Sequence, residues 1–387
     1  MSELSTTCGE GHAPGIDHPE PLAPRPRQLD RFCDGMRNGM VVESMDRLVA
    51  HLYALRAGMS PEAWNDHVAT VLLRHPIREL LHRDPYTFRA FSKRCGNTDD
   101  AILTDMVYFE AADTGVADGI GHAVFRYLLD STAARAMRNR RRRIAVRIDE
   151  TVRARPDARV LALGAGHLRE IELARTLGDT FVGEIVAVDE DESNLAVIHH
   201  EYATRGVRTL HMSIDGLIAE RSGLGGFDLI YAADLFERLP PPPARALAER
   251  MFAMLNPGGR MLVANFVPDI ADVGYQESYM DWRPICRGER DMLALVAGIA
   301  REDIADAELS LDAIRNIAYL ELQRRSTVET ALRRERLRVS RALLLDKPLK
   351  NKTEEMRTVA LCTSPKRRCR LGCAREPQRS RMCSEGF

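Results

Sequence analysis

Residues 159–170 of the chain read Arg-Val-Leu-Ala-Leu-Gly-Ala-Gly-His-Leu-Arg-Glu. Val160 to Leu163 form a short apolar run, as expected of a strand that is buried on both faces. Gly164 and Gly166 follow directly, where the chain must turn sharply and where a ligand can come close to the backbone. The stretch therefore predicts a buried strand that ends in a ligand-binding turn.

The segment after this turn completes a β-α-β unit. Glu170 to Leu177 predicts a helix, and Ile185 to Val188 predicts a second buried strand that ends in Asp189, where a carboxylate can accept from ribose hydroxyls. The third glycine of a dinucleotide fingerprint is absent, because Leu168 and Arg169 occupy its place. This argues against NAD(P), whose pyrophosphate requires an open helix N-terminus. A nucleoside-type ligand without a phosphate, such as S-adenosylmethionine, needs only the turn and the acid.

The composition is that of a soluble globular protein. The 387 residues are 45% hydrophobic and 29% charged, and no apolar stretch has the length of a transmembrane helix. The N-terminus lacks the charged-then-apolar order of a signal peptide, which predicts a cytoplasmic protein. Eight cysteines in so long a chain do not form a disulfide scaffold and are compatible with a reducing compartment.

Charge and proline content divide the chain into four predicted parts. These are a disordered leader at 1–28, a helical substrate or lid region at 29–155, an α/β domain at 156–323 and a basic, disordered tail at 324–387. The tail carries 18 Lys and Arg residues against 7 Asp and Glu, whereas the rest carries 37 against 49. The tail could make peripheral contact with an anionic inner membrane, or it could be an accidental extension; no specific nucleic-acid partner is expected.

Two segments of the helical region have two interpretations each. The Gly-, Asn- and Asp-rich loop within Asp84 to Tyr108 is either a lid over a pocket or, as we favour, a plain interhelical turn. The helix predicted at Ala134 to Arg155 contains the basic run Arg138 to Arg143. This run is either a solvated face, the more common case, or a landing patch for an acidic partner.

Strands and helices alternate after Asp189. Five further strands are predicted, the last two as an antiparallel pair: Arg208 to Met212, Phe227 to Ala232, Arg260 to Phe266, Ala307 to Leu311 and Asn316 to Glu321. Helices are predicted at Ser193 to Tyr202 and Ala244 to Leu255, the second ending at Asn256-Pro257-Gly258-Gly259. The predicted fold class is α/β, a seven-stranded Rossmann-like methyltransferase sheet preceded by an all-helical region.

With these landmarks, residues 158–323 resemble class I S-adenosylmethionine-dependent methyltransferases. Four features carry the resemblance: Gly164-x-Gly166, Asp189, Phe227 to Ile230 and Asn256 to Gly259. The resemblance implies S-adenosylmethionine as the cofactor. One departure is Ala162, since typical members carry an acidic residue two positions before the first loop glycine.

Longer blocks narrow the resemblance to a bacterial subfamily over roughly residues 30–323. Leu163 to Glu170, Ala264 to Phe266, Tyr279 to Trp282 and the segment from Asp84 to Tyr108 are similar to the subfamily that contains 3-hydroxypalmitic acid methyl ester synthases of Phc-type quorum sensing. The implied product is a fatty acid methyl ester signal that regulates virulence genes. The implied partner is a 3-hydroxy fatty acid, free or on acyl carrier protein.

Site roles follow from the matching positions. The expected cofactor-binding residues are Gly164, Gly166, Glu170, Asp189, Ser213, Asp215 and Tyr231. The expected catalytic or substrate-binding residues are Arg89, Lys93, Tyr108, Asn265 and Tyr279, with Arg94, Asp234, Tyr275 and Trp282 as further candidates, although Met280 and Trp282 are more often core residues. No histidines or cysteines have metal-ligand spacing.

Two alternatives stay open beside this interpretation. The domain could methylate the oxygen or nitrogen of another small metabolite. It could also be a regulatory binding protein that kept the fold and lost catalysis, which the alanine at position 162 makes conceivable.

Overall fold

The computed structural model describes residues 27–92, 100–112, 119–178, 181–219 and 223–327. Up to residue 154 the described chain is helical. Its α-helices are α1 (Arg27–Arg37), α2 (Val41–Ala57), α3 (Pro61–His67), α4 (Ile77–Leu81), α5 (Pro85–Ser92), α6 (Ala101–Phe109), α7 (Gly119–Leu129) and α8 (Thr132–Ala154). A π-helical turn, Val68–Leu72, continues α3. Side chains that accept from backbone N–H groups start three of these helices: Ser60 for α3, Asp100 for α6 and Ser131 for α8.

The rest of the described chain forms a seven-stranded sheet in the order β3-β2-β1-β4-β5-β7-β6. The strands are β1 (Arg159–Leu163), β2 (Glu184–Asp189), β3 (Val207–His211), β4 (Phe227–Ala232), β5 (Leu255–Phe266), β6 (Ile304–Leu311) and β7 (Ile317–Arg324). The first five are parallel, and β7 is antiparallel to both β5 and β6. The predicted fold class is therefore confirmed.

Five helices accompany this sheet: α9 (Glu192–Tyr202), α10 (Ile214–Ile218), α11 (Pro241–Ala253), α12 (Val273–Tyr279) and α13 (Glu289–Ala294). α11 starts earlier than predicted, because the prolines from Pro241 onward fit the first turn of a helix, where no N–H partner is required. β5 starts at Leu255, which pairs with Phe227 before the Pro-Gly-Gly turn.

Alternating residues of the strands pack into two hydrophobic cores. Val160 and Ala162 of β1 face a core that continues into the N-terminal helices, whereas Leu161 and Leu163 face a second core with α11. The N-terminal helices thus cover one face of the sheet and share its core. None of the described helices is long and apolar enough to cross a membrane.

The helix predicted at Glu170 to Leu177 is wrong, because only a 3₁₀ turn, Arg169–Glu172, follows the glycine loop. Leu168 before it is in the left-handed region, with φ of 57°. α8 contacts this segment through two hydrogen bonds: Arg141 Nε donates to the carbonyl of Arg169 at 2.9 Å, and an Asp149 carboxylate oxygen accepts from Thr176 N at 2.8 Å. These contacts hold the backbone in a non-helical path.

The basic run Arg138 to Arg143 is neither a solvated face nor a landing patch, so both interpretations are wrong. Arg140 is 1% exposed, and Arg141 is buried as well. Arg141 pairs with Glu172 at 2.6 Å, and Arg143 pairs with Glu321 at 2.7 Å. Of the run, Arg142 is the exposed arginine. The run fastens α8 to the rest of the protein through acidic partners.

Candidate active site

A large cavity lies at the carboxyl ends of β1, β2, β4 and β5, where ligands bind in sheets of this type. Its void is about 1160 Å³, including the solvent at its mouth. The glycine loop after β1 forms one side, and α5, α6 and α8 form the other. The charged or hydroxyl-bearing lining residues are Tyr86, Asp100, Thr104, Asp105, Tyr108, Arg140, His167, Arg169, Glu170, Asp189, Tyr231, Asp234, Glu237, Arg238 and Asp281.

Gly164 and Gly166 give the loop its shape. Both have positive φ, 62° and 52°, in the left-handed region that side chains disfavour. A Cβ on Gly164 would lie 3.2 Å from the Cβ of Leu235. The N–H of Gly166 donates to Asp189 Oδ2 at 2.8 Å, which joins the loop to the end of β2. The structure thus brings the two glycines and Asp189 together at the cavity, as expected.

A smaller hollow lies beside Asp189. Its walls include apolar residues, among them Leu163, Val188, Met212, Ile214 and Leu217, and an apolar slot of this kind suits a flat aromatic base. Ser213 lines the hollow, but its Oγ accepts from Gly216 N at 3.1 Å as the cap of α10. Asp215 is exposed and lies outside the lining of both cavities, so the structure does not place it with the other expected cofactor-binding residues. Its carboxylate belongs to the first turn of α10, where it complements the helix dipole.

Glu170 and Tyr231 form a buried pair on the cavity wall. The hydroxyl of Tyr231 donates to Glu170 Oε1 at 2.5 Å. Burial raises the pKa of Glu170 above its ordinary value, although the Tyr231 hydrogen bond opposes this effect. Burial, together with the Glu170 charge, raises the pKa of Tyr231 as well, so the phenol stays protonated. The cavity wall therefore contains a carboxyl group, that of Glu170, whose pKa is set by burial and by its neighbours.

Arg140 is the buried cation of the cavity. Its Nη2 donates to Asp234 Oδ2 at 3.0 Å, and its Nη1 donates to Glu237 Oε1 at 3.2 Å. Burial lowers the pKa of Arg140, but the carboxylates of Asp234 and Glu237 and the phenol of Tyr108 outweigh burial, so the guanidinium keeps its charge. Burial raises the pKa of Tyr108 to about 12, and its hydroxyl remains a hydrogen-bond donor next to Arg140.

Asp105 joins α6 to the glycine loop. Its Oδ2 lies 2.8 Å from His167 Nδ1 and accepts from Arg169 Nη2 at 3.0 Å. Burial raises the pKa of Asp105, but the hydrogen bonds from His167 and Arg169 outweigh burial, so the pKa lies below its ordinary value. The ionised carboxylate of Asp105 is therefore the partner of both the His167 and the Arg169 side chains.

Of the candidate substrate-binding residues, Tyr108 and Trp282 line the cavity. Met280 lines it as well, and it is also part of the hydrophobic core, as expected. Arg89 is outside the lining, because its guanidinium pairs with Asp100. Lys93 and Arg94 lie outside the described residues.

Asn265 and Tyr279 are also outside the cavity lining, so the structure does not bring them together with the other expected site residues. Asn265 is fully buried; its Nδ2 donates to the carbonyl of Ile285 at 2.9 Å, and its Oδ1 accepts from Arg287 Nη1 at 2.7 Å. Tyr279 is fully buried beside Tyr275, with ring centroids 5.7 Å apart. Asn265 thus joins the end of β5 to the chain at Ile285 and Arg287, and Tyr279 packs within α12.

Arg140, Asp105, His167, Glu237 and Arg238 line the cavity and were not among the expected site residues. For Arg140 the sequence holds a usable signal, because Arg140 lies three residues after Met137 and four before Ile144, on the apolar face of α8. A charged residue on such a face requires a buried partner. Among the described residues, no group of three or more His, Cys, Asp or Glu side chains could hold a metal ion.

Residues 133–292 match the family model described as "Methyltransferase domain". No curated protein matches the sequence. Among solved structures, a possible exported protein from Bordetella parapertussis has the same fold; it is 14% identical, with a TM-score of 0.51, over 69% of this chain and 100% of that chain. A TehB-like SAM-dependent methyltransferase from Corynebacterium glutamicum is 14% identical, with a TM-score of 0.33, over 47% of this chain and 86% of that chain.

The cavity fits S-adenosylmethionine on the chain's own residues. Gly164 and Gly166 leave the backbone open to close approach, Asp189 offers a carboxylate between the two hollows, and the apolar hollow accepts a flat base. The buried acid Glu170 suits a ligand with a positive charge. From the family match, the sheet order and this fit, we conclude that the chain contains an S-adenosylmethionine-dependent methyltransferase domain with the class I Rossmann-like fold.

Proposed function

We propose that the protein methylates the carboxylate of a 3-hydroxy fatty acid, such as 3-hydroxypalmitic acid, and that the ester is a quorum-sensing signal that regulates virulence genes. The cofactor supplies an electrophilic methyl group. A carboxylate oxygen forms the new C–O bond, and the electron pair of the broken S–C bond stays on sulfur. Fatty carboxylates are already ionised at neutral pH, so this reaction requires no general base.

The apolar part of the cavity wall is the observation that carries this proposal. Seven side chains from both the N-terminal helices and the sheet region contribute to it: Tyr86, Ala90, Leu103, Met137, Phe266, Met280 and Trp282. An acyl chain gains binding energy from such a surface in proportion to the apolar area removed from water. The N-terminal helices would then be part of the substrate site.

Arg140 and Tyr108 are suited to orient the carboxylate in this proposal. Arg140 is buried and charged, and the Tyr108 hydroxyl next to it is a donor. Asp234 already occupies Nη2 of Arg140, and its side chain is 34% exposed. An incoming carboxylate would have to share or replace that contact. Positioning is what the reaction requires, because the attraction between carboxylate and sulfonium is lost as their charges cancel.

One observation favours a second candidate, methylation of a hydroxyl or amine on another small metabolite. Acidic residues around the cavity outnumber basic ones: Asp100, Asp105, Glu170, Asp189, Asp234, Glu237 and Asp281 against Arg140, Arg169 and Arg238. A negative lining attracts cationic substrates and can accept a proton from a nucleophile.

A substrate panel tests the proposal. The full chain is incubated with S-adenosylmethionine and 3-hydroxy fatty acids of several chain lengths, free or on acyl carrier protein, next to amine and hydroxyl acceptors. Mass spectrometry should find methyl esters of the 3-hydroxy acids, and Met137→Trp, which fills the apolar wall, should favour shorter chains. Turnover of amines or hydroxyls alone would contradict it. Cofactor binding without any turnover would indicate a regulatory binding protein.

A further inference from the structure

Two buried acids of the cavity wall, Glu170 and Asp189, have no ion pair within the described parts of the chain. The Asp189 carboxylate accepts from the backbone N–H groups of Gly166 at 2.8 Å and Asp191 at 2.9 Å, whereas Glu170 has fewer donors. Glu170 is 6% exposed, and the described hydrogen bond to its side chain comes from the neutral hydroxyl of Tyr231. Glu237 and Asp234 have Arg140 as a partner, and Asp105 has His167 and Arg169.

An ionised carboxylate without a cation is costly to bury. The Tyr231 bond offsets part of this cost, and the more distant charge of Arg141 on α8 offsets a further part. Asp234 after β4 acts in the opposite direction, because its like charge disfavours ionisation of Glu170. The phenol of Tyr108 on α6 is a further titratable group near Glu170, and it stays neutral. Without cofactor, the site therefore holds a Glu170 carboxylate whose negative charge is not balanced by a directly paired cation.

We propose that Glu170 makes the site selective for the cationic cofactor S-adenosylmethionine over its neutral product S-adenosylhomocysteine. The two ligands share adenine, ribose and the zwitterionic methionine end, and they differ by the methyl group and the positive charge of the sulfonium. In a buried, weakly polarisable site, a single positive charge near a carboxylate changes affinity even without direct contact. Methyl transfer removes the positive charge of the sulfonium, so the site would then bind the product S-adenosylhomocysteine more weakly.

The proposal predicts a direction for the pH dependence of cofactor binding. A cation stabilises the ionised form of Glu170, so binding of S-adenosylmethionine and ionisation of this group favour each other. Since burial raises the pKa of Glu170, protonation should begin to weaken S-adenosylmethionine binding at a higher pH than an ordinary glutamate would allow. S-adenosylhomocysteine binding should change much less over the same range.

Calorimetric affinities of three ligands test the proposal: S-adenosylmethionine, S-adenosylhomocysteine and sinefungin, which has an amine in place of the sulfonium methyl. Glu170→Gln should weaken S-adenosylmethionine and sinefungin by about tenfold or more and S-adenosylhomocysteine by less than about threefold. Tyr231→Phe removes the donor to the carboxylate, so it should move the pH at which S-adenosylmethionine affinity falls to a higher value.

Met212→Ala is the matched control, because Met212 lines the apolar hollow that suits the base shared by all three ligands, and its substitution changes no charge. It should weaken all three by similar factors. Circular dichroism melting shows whether each variant is folded; if Glu170→Gln is not, Glu170→Asp keeps the charge and should keep the ratio of the S-adenosylmethionine and S-adenosylhomocysteine affinities. An equal loss for all three ligands in Glu170→Gln, or a changed ratio in Glu170→Asp, would overturn the proposal.

Discussion

The carboxylate of Asp105 lies 2.8 Å from the Nδ1 of His167, and this contact joins the helical region to the glycine loop. The same carboxylate accepts from Arg169, whose guanidinium also reaches Glu201 and Tyr202 of α9. Asp105 of α6 thus holds the glycine loop where the loop backbone would contact the cofactor. The Asp105 side chain connects α6, which lines the cavity, to the glycine loop.

Asp105→Asn should therefore loosen the loop and destabilise the fold. The variant keeps the shape of the side chain but loses the charge that His167 and Arg169 share. We expect a loss of about 1–3 kcal/mol in the free energy of unfolding, measured by urea denaturation, and weaker cofactor binding. Asp215→Asn, an exposed acid outside both cavities, is the control and should change neither quantity. Unchanged stability of Asp105→Asn would show that the contact does not hold the loop.

The same contact predicts how the difference in the free energy of unfolding between wild type and Asp105→Asn depends on pH. The pKa of Asp105 is lower in the folded protein than its ordinary value, because hydrogen bonds from His167 and Arg169 outweigh burial. Its contribution should be fully present above the unfolded pKa of about 4 and should be lost as the pH falls through the lower, folded pKa. Denaturation curves at several acidic pH values should converge for the two proteins; a constant difference would contradict this assignment.

Gly164→Ala should cost stability and cofactor affinity together. An alanine at φ of 62° is strained by about 1–2 kcal/mol, and its Cβ would lie 3.2 Å from that of Leu235. Gly39→Ala is a matched control, since Gly39 has φ of 82° and open space around its missing Cβ. We expect a similar strain but unchanged cofactor binding for Gly39→Ala. Calorimetry that finds equal cofactor affinity in both variants would exclude the close approach at Gly164.

Asp234→Asn tests the proposed role of Arg140 in substrate binding. The substitution removes the charge that competes for Nη2 of Arg140 and leaves Glu237 as the second partner. If a fatty carboxylate binds there, its KM should fall several-fold, because one repulsive charge is gone. An amine substrate would respond in the opposite direction, so the sign of the change in KM separates the two candidate functions.

Much of the fold could be predicted from sequence because its signals are local. Short apolar runs between turn residues mark β1, β2 and β4, and Pro257-Gly258-Gly259 marks the turn inside β5. The positive φ at Gly164 and Gly166 was foreseeable, because glycine is the residue that adopts it without strain. The meeting of this loop with Asp189 follows in turn, since neighbouring parallel strands end at one edge of a sheet.

Only the tertiary structure decided what the charged side chains do. Arg140 pairs with carboxylates 94 and 97 residues away in sequence, and the segment after the glycine loop is held by α8 instead of forming a helix. Asn265 and Tyr279 carry the residue types of a site, yet they are buried in the packing around it. Helical and strand periodicity arise from neighbours along the chain, whereas the state of a buried charge depends on partners that only folding brings near.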